Sequence, residues 1–417
     1  MSNKLTLVAI VTTLGLALSG EALAGPLEDA AAAGRRGDYA TAIQLLRPLA
    51  TEGNAEAQYN LGIGYESGKG VPQDYAEALK WFRLAADQGF AAAQNTLGAM
   101  HGSGKGLPKD YTEAVKWYRL AADQGDATAQ DNLGTMYQQG MGVAQDYTEA
   151  LKWYRLAAGQ SQSMAQNNLG SMYRNGTGVR QDNTEALKWF RLAVGQANAL
   201  AQYNLGNMYE LGEGVRRSDS EAIKLFRLAA DQGLDIAQNK LGTLYAAGRS
   251  VRQNYTEAVK WYRLAAEQGY PIAQHNLAFM HDNGIGVPQN DAEAMKWYRL
   301  AAEQGYADAQ NNLARLYLLG EGVPQDYVEA SKWFRMAADQ GEALSQNILG
   351  TMYFDGKGVP QDYVEAYIWL SLAAARYPAS ERENRDKSVK SRDASAAKMT
   401  PAQIAEAQKR IRDWKPK

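Results

Sequence analysis

The side chains best suited to acid–base or metal chemistry are scarce in this chain. Its 417 residues contain three histidines and no cysteine. His101 and His281 stand at the framework position of Tyr65, five copies of one pattern apart, so packing accounts for both. His275 and His281 are six residues apart, a spacing that does not put them together on one helix face. An imidazole base or zinc ligand therefore has no obvious companion. Without cysteine there is no thiol nucleophile, thiolate site or disulfide. A Walker loop, a G-x-S-x-G elbow and an H-E-x-x-H pair are all absent. Pairs such as Gly68/Gly70 and Gly104/Gly106 follow a helix and lack a preceding strand, which removes the dinucleotide-loop reading. The sequence predicts no enzyme, no metal and no cofactor, and leaves the chemistry of binding.

The amides carry that chemistry. Asn60 returns as Asn132, Asn168, Asn204, Asn276 and Asn312, with Thr96, Lys240 and Ile348 departing. The neighbouring position reads Tyr59, Asn95, Asp131, Asn167, Tyr203, Asn239, His275, Asn311 and Asn347. An amide both donates and accepts, so such a ladder can pair with the backbone of an extended peptide. Tyr59 and Tyr203 would add contact area. The same asparagines could instead bond to neighbouring helices and brace the structure, and the residue types do not separate the two roles.

A 36-residue period positions these residues. The pair Ala57-Gln58 recurs every 36 residues through Ala309-Gln310 and ends as Ser345-Gln346, giving nine copies over 54–377 without insertion or deletion. A fixed period of this size means a solenoid, each unit burying its apolar face against the next. Within a copy, Ala57, Leu61 and Tyr65 mark one helical face. Gly68-Lys69-Gly70 stops that helix. Asp74 with Glu77 three residues on forms a capping-box pattern that opens a second helix, echoed with Asp, Ser or Asn in every copy. Tyr75, Ala78, Phe82 and Ala85-Ala86 form its buried stripe. Trp81 recurs in all but the fifth copy, which has Leu225, and reads as packing between copies. Glu77, Lys80, Arg83 and Asp87 read as a solvated face.

This pattern resembles the Sel1-like repeat, a relative of the tetratricopeptide repeat. The resemblance implies an all-α, right-handed α/α solenoid of helix-loop-helix units. It also implies a concave surface lined by the first helices, at positions 56, 59, 60, 63, 66 and 67 and their echoes. Residues 25–53 are expected to form an N-terminal helical cap with a degenerate half repeat. Residues 378–417 are expected to form a charged linker and a capping helix opened by Thr400-Pro401. Copies five and six depart from the pattern near 212–255, through Ser218-Asp219, Leu225 and Gly248-Arg249-Ser250.

The ends and the charge bear on location and partners. Lys4, the apolar run Leu5 to Leu18 and Ala22-Leu23-Ala24 predict a secretory signal peptide over 1–24, with a mature start at Gly25 in the periplasm or outside the cell. Fourteen apolar residues are short for a bilayer span. The net charge of −2 gives no reason to expect nucleic acid or an anionic membrane. The expected function is a scaffold of the cell envelope or a secreted scaffold, binding a protein or peptide on its concave face. In related bacterial proteins such modules serve signalling or exopolysaccharide assembly. The alternative is a peptidoglycan or polysaccharide binder or hydrolase, which would want an aromatic track. The available aromatics Tyr59, Tyr203, Phe279 and Phe354 are scattered.

Overall fold

A computed structural model describes residues 25–416; the expected signal peptide lies outside the described residues. The described chain is all-helical, with 22 α-helices and no strand among them. It is a solenoid of nine tandem helix-loop-helix copies. The described residues divide into two compact units between Leu205 and Gly206, within the fifth copy.

Every copy is built alike. In the first, Ala55–Ser67 and Tyr75–Asp87 each form a 13-residue helix. Gly68 ends the first helix in the left-handed region at φ 68°. Gly70 needs glycine for a second reason: a Cβ there would lie 2.3 Å from the Tyr39 carbonyl oxygen of the preceding helix. The loop thus passes against the start of the previous second helix too closely for any side chain.

Asp74 caps the second helix by accepting from the backbone N–H of Ala76 and Glu77 at 2.9 and 3.0 Å. The expected reciprocal arm of the capping box is not made. Glu77 faces Lys80 instead, and in three copies the equivalent glutamate accepts from the indole N–H one turn later. Among the described residues only the terminal helix, Pro401–Asp413, has the full box, between Thr400 and Gln403.

The two helices of a copy meet glycine against ring. A Cβ on Gly98 would lie 2.5 Å from the Tyr118 ring, and one on Gly134 would lie 2.8 Å from that of Tyr154. Small residues here let the rings seat flat on the first helix. In the tryptophan row Trp117, Trp153, Trp297 and Trp369 are buried and Trp81, Trp189, Trp261 and Trp333 half-buried, and Leu225 is buried in their place in the fifth copy. Before the first copy, Pro26–Arg35 and Tyr39–Thr51 form a helical pair. After the last, Arg382–Ala396 and the terminal helix follow it.

Candidate interaction surface

Three sets of repeated side chains hold the copies together. The first is the glutamine of the Ala-Gln pair. Gln130 Nε2 donates to the Ala122 carbonyl at 3.1 Å, one of the C-terminal helix carbonyls that has no intrahelical partner. Gln130 Oε1 then accepts from Gln160 Nε2 at 2.9 Å, so each glutamine joins two copies. The relation repeats at Gln58/Gln88, Gln94/Gln124 and Gln166/Gln196 in the first unit, and from Gln238/Gln268 onward in the second.

The second set pairs an arginine with a tyrosine 18 residues on. Arg47 and Arg155 donate to Tyr65 and Tyr173 at 3.0 and 2.7 Å, and Arg119, Arg227, Arg299 and Arg335 do the same. These arginines, read from sequence as free surface charge, therefore serve the packing between copies. The framework tyrosine is the partner, which is why its replacement at His281 leaves both ring nitrogens buried without a partner.

The third set is the expected asparagine ladder. Asn132 Nδ2 donates to Asn95 Oδ1 at 3.0 Å, Asn168 to Asp131 at 2.9 Å, Asn204 to Asn167 at 2.8 Å and Asn276 to Asn239 at 3.0 Å. Each bond runs from one copy to the copy before. The expectation that these amides stand open to solvent is corrected on that point: Asn60 is buried and the others are half-buried. Asn312 is half-buried as well, but its counterpart one copy earlier is His275, and no bond of this kind forms. Lys240, which replaces asparagine in the sixth copy, reaches Glu210 at 2.7 Å.

Aromatic residues substitute for the ladder where they occur. Tyr59 packs against Phe82 and Phe90 with ring centres 5.7 and 5.3 Å apart, and burial raises its phenol pKa. His275 likewise lies 5.5 Å from Tyr298 and 5.2 Å from Tyr306, and burial lowers its pKa. Tyr203 is half-buried. Of the four aromatics weighed for a glycan track, Phe279 is well exposed, while Phe354 packs edge-on against Tyr363.

One ladder position carries charge. Asp131 is buried where other copies have asparagine, and burial pushes its carboxyl up to about 7, against the hydrogen bond from Asn168 that favours the ionised form. Tyr154 stands close by, its hydroxyl near Thr135 and donating to Gln138. Among the described residues no three histidine, aspartate or glutamate side chains converge as a metal site, and no helix is long and apolar enough to cross a membrane.

The variable side chains lie between these fixed ones. Thr135, Asn207, Phe279 and Arg315 occupy one register of the first helices; Phe279 is exposed and the others half-buried. Ile63, at the same register, is buried. Arg315 is drawn to Asp282 and Glu321.

A tandem of helix pairs whose recurrent polar residues bond copy to copy defines a helical-repeat scaffold. The Sel1 repeat model matches nine times, over 55–90, 91–126, 127–161, 163–198, 199–234, 235–270, 271–306, 307–342 and 343–377. The chain belongs to the Sel1 repeat family. It is similar to the crystal structure of c5321, a protective antigen of uropathogenic Escherichia coli strains displaying the same repeat fold. That match has 33% identity over 93% of this chain and 91% of that one, with a TM-score of 0.51. It is also similar to a Sel1 repeat protein from Oxalobacter formigenes, with 38% identity over 73% of this chain and 88% of that one and a TM-score of 0.52. No curated protein matches the chain. Sel1 repeat proteins are in general protein-interaction scaffolds, and the fold itself is a non-catalytic one.

Proposed function

We propose that this protein is an exported, non-catalytic scaffold that binds a protein or peptide along the face lined by its first helices. One observation carries the reading. The side chains that recur with the period are committed to holding copies together, while the register of Thr135, Asn207, Phe279 and Arg315 varies along the first helices, half-buried in three copies and open at Phe279. A constant frame with variable surface residues suits recognition of one defined partner. The ladder asparagines contribute in a secondary way. Each brace uses one amide hydrogen, so the half-buried Asn132, Asn168, Asn204 and Asn276 can still offer their remaining polar atoms to a peptide backbone, as can Asn312, which makes no such brace, beside Tyr59, Asn60 and Tyr203. Export rests on the signal-peptide pattern of residues 1–24, which puts the working protein in the periplasm or outside the cell. A part in envelope signalling or exopolysaccharide assembly is consistent with that location.

The test is site-specific photo-crosslinking in the native envelope. A crosslinker at position 279 should capture one protein that a crosslinker at Lys80, on the second helices, does not, and the chain carrying the crosslinker should begin at Gly25. Equal capture from both positions, or none from 279, sinks the first-helix reading.

A further inference from the structure

One position of the second helix stays exposed in every interior copy. Leu84 and its echoes through Met336 are all exposed leucines or methionine, Leu156 at 46%. Single exposed leucines are ordinary, but the same register open eight times over is a surface feature.

The ninth copy shows what this register accepts. Its Leu372 is only 3% exposed. Leu372 shares a helical stripe with Glu365, Trp369 and Arg376, at i, i+4, i+7 and i+11. All three neighbours touch the terminal helix or the residue that ends it. Arg410 donates to Glu365, Trp414 meets Trp369 edge-on at 6.5 Å, and the Arg376 guanidinium lies 4.2 Å from the Trp414 ring centre. Leu372 and Ala407 belong to one buried cluster, with Ile411 and Trp414 packed on it. The covering element is amphipathic, with Ile404, Ala407, Ile411 and Trp414 at i, i+3, i+7 and i+10.

Interior copies leave the leucine of this stripe uncovered; in the third the stripe is Glu149, Trp153, Leu156 and Gln160, with Trp153 buried against the copy before. The difference lies at the flanks. Lys152 and Arg155 of the third copy become Ile368 and Ser371 in the ninth, where the cover is built in. The open copies keep a charged rim around an apolar centre, which is the anatomy of a reversible interface.

We propose that the leucine register of the interior copies docks an amphipathic helix of a partner protein, of the same chemistry as the terminal helix. Such a helix carries apolar residues at i, i+3, i+7 and i+10 and an arginine that reaches the stripe glutamate. This surface is on the second helices and does not depend on the first-helix reading above. Alternating Lys152 and Glu149 beside the leucine suit a protein helix rather than an anionic lipid surface.

The experiment titrates the full chain with a fluorescent peptide of residues 401–416. Saturable binding is expected, its capacity cut by about a quarter by Leu156→Glu together with Leu192→Glu, two of the eight open registers, and its affinity weakened by Arg410→Ala in the peptide. Both leucines are exposed, so circular dichroism of the variant should match the parent. Absence of binding overturns the proposal. So does binding indifferent to the two leucines, which would report exchange with the chain's own terminal helix at the ninth copy. Leucine-dependent binding of the full chain to phosphatidylglycerol vesicles, without peptide binding, would replace the partner helix by a lipid surface and equally overturn it.

Discussion

The fourth copy and the sixth solve one packing problem with different residues. In the first unit Gly178, at φ 70°, passes so close to Tyr147 that a Cβ would lie 2.4 Å from the tyrosine Cβ. In the second unit the same two registers hold Ser250 and Asp219. Ser250 keeps the left-handed backbone at φ 64°, and its hydroxyl donates to the Asp219 carboxylate. Asp219 puts a carboxylate where Tyr147 has its ring, and the Ser250 hydroxyl bonds to it. The carboxylate is held below its usual pKa by Arg217 and Ser250. The irregularity noted in the sequence near 212–255 is, at this point, a matched replacement. The serine hydroxyl meets the carboxylate that stands in place of the tyrosine, and that bond offsets part of the serine's own backbone strain.

The largest test of that contrast concerns the tryptophan row. Trp153→Ala should cost about 3–5 kcal/mol in the first unit, and Leu225→Ala, at the same register of the second, about 2–4 kcal/mol. Denaturant unfolding measures both, and a loss below about 1 kcal/mol at Trp153 would mean that the row is not core.

A smaller effect, of opposite sign, is expected inside the ladder. Asp131→Asn restores the residue found at Asn95 and Asn167 and should stabilise the protein by on the order of 2 kcal/mol at pH 8. Burial raises the folded pKa of Asp131 to about 7, well above the usual carboxylate range. Its stabilising contribution is therefore complete below about pH 4 and is lost as pH rises through 7. The gain from the asparagine should shrink as pH falls across that window. Chemical denaturation of both proteins between pH 4 and 8 checks it, and a gain that does not vary with pH would exclude titration of Asp131 as the source.

The smallest effect is the coupling between Asp219 and Ser250. A double-mutant cycle with Asp219→Ala and Ser250→Ala should give a small favourable coupling, less sensitive to salt than an ion pair would be. Additive losses would show that the two departures arose separately.

Much of the fold was legible because it is local. Cap residues, stop glycines and the 3.6-residue stripe each act within one turn of chain, and the 36-residue echo confirmed them nine times. What escaped reading acts between copies. Gln58 was visible as a marker but not as a link to Ala50 and Gln88, and arginines such as Arg155 looked solvated because their tyrosine partners belong to the next copy. Offsets of 18, 30 and 37 residues were present in the sequence, but nothing in helix periodicity singles them out. The asparagines showed the limit most clearly. The residue type permits ligand binding and bracing alike, and only the placement of Asn95 against Asn132 reveals the brace. The exposed leucine register passed unnoticed for a different reason: leucine next to a buried stripe looks like core.

The glutamine ladder has a polarity, and its last rung shows where that leads. Gln346 donates to Ala338, but the register that would answer its Oε1 holds Arg376, and that oxygen is buried without a partner. The neighbouring ladder is closed off, by Ser388 on Asn347. The tandem thus behaves like a one-dimensional crystal with a lattice constant of 36 residues. Its C-terminal face is a reconstructed surface, on which one dangling bond has been healed and the other left open.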